Sequence, residues 1–348
     1  MSRGFLAGLG LVTAACALVL SAPAHAATAW VEQVPPSGPG GFPAVQLHYA
    51  ADPGETNSPY FEFKEGEQVP DSNTVTANKA VVITDRGAHV IKPGFGCVPL
   101  GLTKVLCDSS TSSQPSDPNW DFYWGFDFVA VTLGDRDDSM AQNGMTSLAM
   151  RVDAGPGNDI ITTGDSYDTL IGGPGDDRLQ GGGYSDQLVG GPGADDMSGG
   201  AGVSTDSVLY GGPGEPDVPR AISIDEVAND GASGEADNIH SDVEDVFVDS
   251  SAPNIFIGND GPNYFGGGTG TDVMYGFGGN DTLGGWKGND RLDGGAGRDY
   301  LSGGPDDDVL TARDGETDYG LSCDDGTDQL TADVIDPPSI GCEQDNRG

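Results

Sequence analysis

Apolar positions fall singly and at even intervals through much of this chain. Between residues 154 and 198 they recur every nine residues, at Ile161, Leu170, Leu179, Leu188 and Met197. Between 240 and 311 they recur again, at Phe247, Phe256, Phe265, Met274, Leu283, Leu292, Leu301 and Leu310. An amphipathic helix would space apolar residues three and four apart, and a long half-buried strand would alternate them in a run. Single apolar residues nine apart, between Gly-rich stretches, predict very short strands with the middle side chain turned inward, joined by tight turns. Two such half-coils close a coil of eighteen residues. The pattern therefore predicts an all-β fold, a parallel β-roll or β-solenoid with one strand per coil on each of two faces.

The polar positions share the period. The first block divides without a gap into AGPGNDIIT, TGDSYDTLI, GGPGDDRLQ, GGGYSDQLV and GGPGADDMS, and the second contains GGTGTDVMY, GFGGNDTLG, GWKGNDRLD and GGAGRDYLS. Position six carries Asp159, Asp168, Asp177, Asp186 and Asp195, then Asp245, Asn254, Asn263, Asp272, Asp281, Asp290, Asp299 and Asp308. Glycines at positions one, two and four are expected to take positive φ and turn the chain tightly. Gly172, Gly173 and Gly175 fill these positions in one repeat, Gly190, Gly191 and Gly193 in another. The second block offers Gly267, Gly268, Gly270, Gly276, Gly279, Gly285, Gly288, Gly294, Gly295 and Gly297. With eighteen residues per coil, Asp159, Asp177 and Asp195 stack on one edge and Asp168 and Asp186 on the other. Asp272, Asp290 and Asp308 stack likewise against Asp281 and Asp299. Stacked carboxylates beside glycine carbonyls form an oxygen cage. Six to eight hard oxygen donors, partly main chain, suit calcium better than zinc or copper, and magnesium demands octahedral geometry with waters.

Charge sharpens this reading. The chain carries a formal −40 over 348 residues, and −41 if Arg3 is removed with a leader. That excludes nucleic acid as a partner, which needs a basic footprint. Glycine (57) and proline (23) approach the level of low complexity, but acids and glycines at fixed offsets point to a folded cation binder and away from a disordered chain. Residues 1–26 read as a secretory signal peptide, with Arg3, an apolar run and Ala24-His25-Ala26 before the cut. No later segment is apolar enough to span a bilayer. The expected product is a secreted, extracellular monomer. Cys97, Cys107, Cys323 and Cys342 are an even set in an exported chain, expected to pair locally as Cys97–Cys107 and Cys323–Cys342.

The nonapeptides resemble the RTX, or haemolysin-type, calcium-binding repeat, closely over 154–198 and 240–331. The resemblance implies a right-handed coil with a calcium ion held between successive turns by the position-six acids and backbone oxygens. Departures stand at Ser166, Tyr184 and Asp306 in position four and at Asn254 and Asn263 in position six, where an uncharged amide implies weaker sites. LHYAADPGETN, a Cys-containing hairpin and LGDRDDSM resemble the leading region of secreted proteins of this type. The segment from Leu310 to Glu343 resembles their closing module, with Asp328 at position six and Leu330 at eight. The expected organisation is a leader (1–26), an N-terminal β cap (27–132), a first repeat block (133–198), an acidic insertion (199–239), a second block (240–311) and a closing module (312–348).

Other readings compete locally. Asp225, Asp230, Glu235 and Asp237 offer a further cation site in the insertion, against a solvated acidic loop. In the cap, Thr74–Thr76, Ala80–Thr84 and Lys104–Leu106 read as short strands. Trp120, Phe122, Trp124, Phe126 and Phe128 alternate with smaller or polar residues and read as a strand packed on the first coil, in preference to a sugar-stacking platform. Phe277 and Trp286, at position two, are expected on the surface. Gly164-Asp165-Ser166 with Asp237 and His240 resembles the catalytic motifs of a lipase-esterase family, but its three glycine-turn residues sit in repeat register and no helical period supports such a fold. The functional expectation is a non-enzymatic structural or adhesive calcium-binding protein. A cell-surface or glycan ligand is the alternative, and an esterase using Ser166 ranks below both.

Overall fold

The structure is a computed structural model that describes residues 27–34, 44–54, 56–65, 79–85, 91–93, 97–100, 104–108, 128–142, 148–202, 204–211 and 215–348. The leader at 1–26, Thr74–Thr76 and the aromatic run from Trp120 to Phe126 lie outside the described residues. Every regular element among the described residues is a strand. They form a parallel β-solenoid of about twelve turns.

One face of the roll is a thirteen-stranded sheet that runs nearly the whole length of the molecule. Its strands include Phe128–Thr132, Ala149–Asp153, Thr169–Ile171, Gln187–Val189, Ser207–Tyr210, Asp245–Val248, Tyr264–Gly266, Thr282–Gly284, Tyr300–Ser302 and Gly320–Ser322, each parallel to the next. The other face is divided between a nine-stranded and an eight-stranded sheet. The cap grows out of both faces. Ala44–Ala50 pairs parallel with Phe128–Thr132, and Pro59–Glu65 pairs parallel with Ser139–Gln142. Antiparallel partners then finish the end, Ala27–Val34 on one sheet and Lys79–Asp85 with Lys104–Asp108 on the other. A solenoid end needs such closure, because a terminal coil would otherwise expose its core and its unpaired strand edges.

Three-residue strands suffice because each buries one side chain. Ile161, Leu170, Leu179, Leu188, Met197, Phe256, Phe265, Met274, Leu283, Leu292, Leu301, Leu310 and Leu330 are all fully buried, while the residues before and after each face outward. This is the period-two alternation of a strand reduced to its minimum. Phe247 breaks the pattern. The inward residues of its strand are Val246 and Val248, both fully buried, and Phe247 stands on the outer surface beside Tyr264, ring centroids 5.0 Å apart. The strand is shifted by one residue, which exchanges its faces. Asp245 is accordingly not a turn acid.

The insertion is built into the roll. Strand Arg220–Ser223 pairs antiparallel with Gly231–Ala232 and parallel with Ile255–Ile257, and Ile224 just beyond it bridges Ile239, although the strand precedes all three in sequence. Ile222 and Ile224 are buried in the common core. The reversal explains why the nine-residue period fails here: the chain climbs past one rung and returns to fill it.

Cys323 and Cys342 form a disulfide that ties the last coil. Cys97 is disulfide-bonded and lies opposite Cys107 in the antiparallel register of Cys97–Pro99 with Lys104–Asp108. No helix among the described residues is long and apolar enough to cross a membrane.

Candidate calcium-binding turns

Each position-six acid ends a turn and starts a strand, and its two carboxylate oxygens have different fates. Oδ1 accepts a backbone N–H from the coil before it. Asp159 donates to Asp177, Asp168 to Asp186 and Asp177 to Asp195, each at 2.8 Å. In the second block Asp272 donates to Asp290 at 2.7 Å, Asp281 to Asp299 at 2.9 Å and Asp290 to Asp308 at 2.8 Å. These bonds thread a ladder of carboxylates along each edge. Oδ2 of Asp159, Asp177, Asp186, Asp195, Asp272, Asp281, Asp290 and Asp308 is buried and accepts nothing.

The position-one glycines show where those oxygens point. A Cβ on Gly172 would lie 2.2 Å from Asp177 Oδ2 and 2.7 Å from the carbonyl oxygen of Gly190 in the next coil. On Gly276 it would lie 2.3 Å from Asp281 Oδ2 and 2.3 Å from the Gly294 carbonyl, and on Gly285 2.2 Å from Asp290 Oδ2 and 2.7 Å from the Gly303 carbonyl. Carboxylate and carbonyl oxygens thus converge on one small space in which Oδ2 meets no donor, while the Gly190 carbonyl accepts the N–H of Gly173.

The turn glycines divide by role, which corrects the expectation of positive φ at all three positions. Position two and position four are left-handed in most repeats, as at Gly173 (φ +105°) and Gly175 (φ +146°), but not at Gly164 in position two or at Gly157, Gly261 and Gly270 in position four. Position one is not left-handed at Gly172, Gly190, Gly267, Gly276, Gly285 or Gly294; it is glycine because the repeat's own carboxylate occupies the space of a side chain. Phe277 (φ +72°) and Trp286 (φ +70°) hold the left-handed position two with exposed rings, and Tyr184 (φ +69°) and Asp306 (φ +90°) hold position four. Such residues store strain that the surrounding coil must outweigh.

Burial raises every one of these acids. It pushes Asp159 and Asp290 up to about 6, Asp177, Asp272, Asp281 and Asp308 to about 7, and Asp186 and Asp195 to about 8. Desolvation is the first cause throughout, and neighbouring carboxylates add to it at Asp177, Asp186, Asp195, Asp272, Asp281 and Asp308. Anionic oxygens aimed at one another in a low-dielectric turn call for a cation. No group of three or more His, Cys, Asp or Glu side chains converges among the described residues; the turns bring together one carboxylate each with main-chain oxygens. That set suits a hard ion and not zinc.

The ladder reaches further than the nine-residue period. Asp186 donates its N–H to Asp206, Asp206 to Glu244, Asp195 to Asp237, Asp299 to Asp318, Asp308 to Asp328 and Asp328 to Glu343. Asp138 accepts from Asn57 and donates to Asp159, carrying the ladder into the cap. Asp318 and Asp328 also hold a buried Oδ2 with no partner. The signal that finds most of these acids is local: an acid two residues before a buried apolar residue, as in Asp138–Met140, Asp206–Val208, Asp237–Ile239 and Glu244–Val246.

In the insertion, Asp225 and Glu235 stay at the surface or half-buried, and Asp230 and Asp237 are buried with both oxygens hydrogen-bonded to protein donors. The esterase-like residues are not assembled into a relay. His240 contacts Asp196 through Nε2 at 2.6 Å and Glu226 through Nδ1 at 2.8 Å, while Asp237 accepts from Asp195 N–H and the Tyr210 hydroxyl. Ser166 is buried in its turn, its N–H donating to Gly164 and Gly183.

The family model for the RTX calcium-binding nonapeptide repeat matches the chain four times, over residues 153–182, 171–206, 257–292 and 287–316. The chain therefore carries RTX repeats, and repeats of this kind bind calcium ions. The matches lie in the two regular stretches of the roll, run at their ends into the insertion (to 206) and the closing module (to 316), and do not reach the cap. No curated protein matches the chain.

The position-one geometry yields a prediction. Gly276→Ala is expected to cost about 1–3 kcal/mol, because two oxygens 2.3 Å from the new methyl group cannot both withdraw. Gly234→Ala, where φ is +106° but nothing lies within 4 Å, should cost only the backbone penalty of about 1 kcal/mol. Denaturant titration of the two variants with calcium present checks this; equal losses would refute the role given to position one.

Proposed function

We propose that this chain is a secreted, calcium-binding β-roll with a structural or adhesive role, and that the position-six acids with the turn carbonyls are the ligands. One observation carries the reading: the buried Oδ2 atoms of successive turns point, without a donor, at carbonyl oxygens of the neighbouring coil. Asp159, Asp168, Asp177, Asp186, Asp195, Asp272, Asp281, Asp290, Asp299 and Asp308 would supply charge, and the glycine turns main-chain oxygens. A bound calcium ion supplies neutralising charge and ties successive coils together. Oδ1 of each acid holds the coil before it, and the buried apolar residue two positions on fixes the carboxylate's direction. The division into leader, cap, two blocks, insertion and closing module belongs to the same proposal, as does the absence of hydrolase chemistry.

Calorimetric titration of the full chain tests the assignment. Several calcium ions should bind per chain, and magnesium at the same concentration should give no comparable heat, since it resists a cage closed by backbone. Asp281→Ala and Asp290→Ala should each weaken binding on their edge by about tenfold or more, because affinity follows ligand charge. Unchanged isotherms in both variants would remove these acids from the ligand set.

A further inference from the structure

The repeat at 249–257, DSSAPNIFI, contains no glycine. A carboxylate at its position six would lack the cradle that a position-one glycine leaves, because Asp249 carries a Cβ where Gly172, Gly190, Gly267, Gly276, Gly285 and Gly294 have none. Asn254 stands there instead, and its side chain is oriented by four contacts. Its Oδ1 accepts the N–H of Arg220 at 3.2 Å. Its Nδ2 donates to the Ala252 carbonyl at 2.9 Å and to Asp272 Oδ1 at 3.0 Å, and approaches the Gly267 carbonyl at 3.5 Å. The amide nitrogen thus sits among the kinds of oxygen that a cation would gather elsewhere in the roll. From the outer side Asp217 caps the same turn: its Oδ1 accepts Ser251 N–H, Ala252 N–H and the Ser250 hydroxyl, and its Oδ2 accepts the Ser251 hydroxyl. Asn263 differs although the sequence reads alike. Its Oδ1 takes the carboxylate's place, 2.5 Å from where a Gly258 Cβ would be, and its Nδ2 points away to the Pro262 carbonyl.

The neighbouring rungs are closed in the same manner. Asp230 accepts Ser223 N–H and Ile239 N–H, one on each oxygen, and Asp237 accepts Asp195 N–H and the Tyr210 hydroxyl. Arg220 pairs with Glu215 at 2.9 Å in full burial and lies 5.5 Å over the Tyr210 ring. Asp242 caps the N–H groups of Gly199 and Gly200. Both oxygens of Asp230 and of Asp237 meet protein donors, whereas in the blocks on either side Oδ2 of the turn acids meets none; Glu215 Oε1 and Asn238 Oδ1 are the buried oxygens of this segment that accept nothing.

We infer that the turn at 249–254 is closed by protein groups in place of calcium, with Asn254 as the deciding residue, and that the seam from 207 to 257 is the part of the roll that stays folded without metal. The inference rests on the calcium-dependent reading of the flanking blocks.

Hydrogen–deuterium exchange on the full chain, with calcium or with excess chelator at pH 8, tests it. Peptides from 220–224 and 238–257 should keep their exchange rates within a few-fold when calcium is removed, while peptides from 159–198 and 272–311 speed up at least a hundredfold. Asn254→Asp should make the seam calcium-dependent, so that in chelator it exchanges like its neighbours, because a carboxylate there faces Asp272 Oδ1 and two carbonyls without a proton to share. A wild-type seam that loses protection together with the flanks overturns the inference and leaves the calcium reading standing. A seam still protected in Asn254→Asp under chelator removes Asn254 from its deciding role and overturns the inference as stated. Protection retained along the whole chain under chelator overturns the calcium reading, and the inference with it.

Discussion

Calcium-free protein at pH 8 is expected to lose most of the β-signal of its two repeat blocks and to expand, with the hydrodynamic radius rising by about half or more. Both changes should reverse cooperatively when calcium is returned. The reason lies in how little else holds a coil. Each nine-residue repeat buries one apolar side chain, such as Leu283 or Leu292, while ordering a turn rich in glycine, the residue that loses most freedom on folding. Against this stand the stacked carboxylates. Asp272, Asp290 and Asp308 succeed one another along one edge with their Oδ2 atoms buried and unpartnered, and the formal charge of the whole chain is −40. Calcium cancels that repulsion and engages the converging carbonyls, so its binding energy becomes folding energy. Circular dichroism with light scattering across a calcium titration measures both quantities. A chelated chain that keeps its full β-signal and compact size would sink this account.

The regular blocks were legible because one physical requirement recurs at every coil. An inward side chain at position eight, a carboxylate at six and left-handed glycines at two and four are each demanded by local geometry, so Asp177, Leu179, Gly173 and Gly175 announce themselves. The acids of the cap, the insertion and the closing module were hidden by changes of loop length. Asp237 continues the stack of Asp195 from 42 residues away, and Asp206 continues that of Asp186 from 20, distances that a fixed period cannot follow. The shift at Phe247 was hidden for another reason. Valine and phenylalanine are equally acceptable inside a strand, and the neighbouring Glu244 could serve the ladder as well as Asp245. Strand Arg220–Ser223 could not be placed from sequence at all, because its partners on both sides follow it in the chain and nothing local specifies a return.

Acid should do part of calcium's work, and the direction follows from burial. In the unfolded chain these carboxylates titrate near 3.8, whereas in the roll Asp177, Asp272, Asp281 and Asp308 are pushed to about 7 and Asp186 and Asp195 to about 8. A folded-state value above the unfolded one means that the roll binds protons more tightly than the unfolded chain does. Relative to the ionised form, the metal-free roll is therefore favoured most below about pH 4, and that advantage is lost as pH rises through 6 to 8. Protonation removes the repulsion at Oδ2 and supplies the missing donor, which can bond the Gly190 or Gly294 carbonyl that lies opposite. Metal-free protein taken from pH 8 to pH 5 should accordingly gain β-signal and contract without any calcium. Because many carboxylates titrate together, the transition should be steep and should lie between the unfolded and folded values. Calcium must then displace protons to enter, so at pH 5 its apparent affinity falls, by about tenfold per pH unit for each carboxylate that gives up its proton. The crossing of the two effects is the discriminating measurement. Acid should raise order in calcium-free samples while it weakens calcium binding in loaded ones. A metal-free chain equally unfolded at pH 8 and pH 5 would show that the carboxylates are not what keeps the roll open.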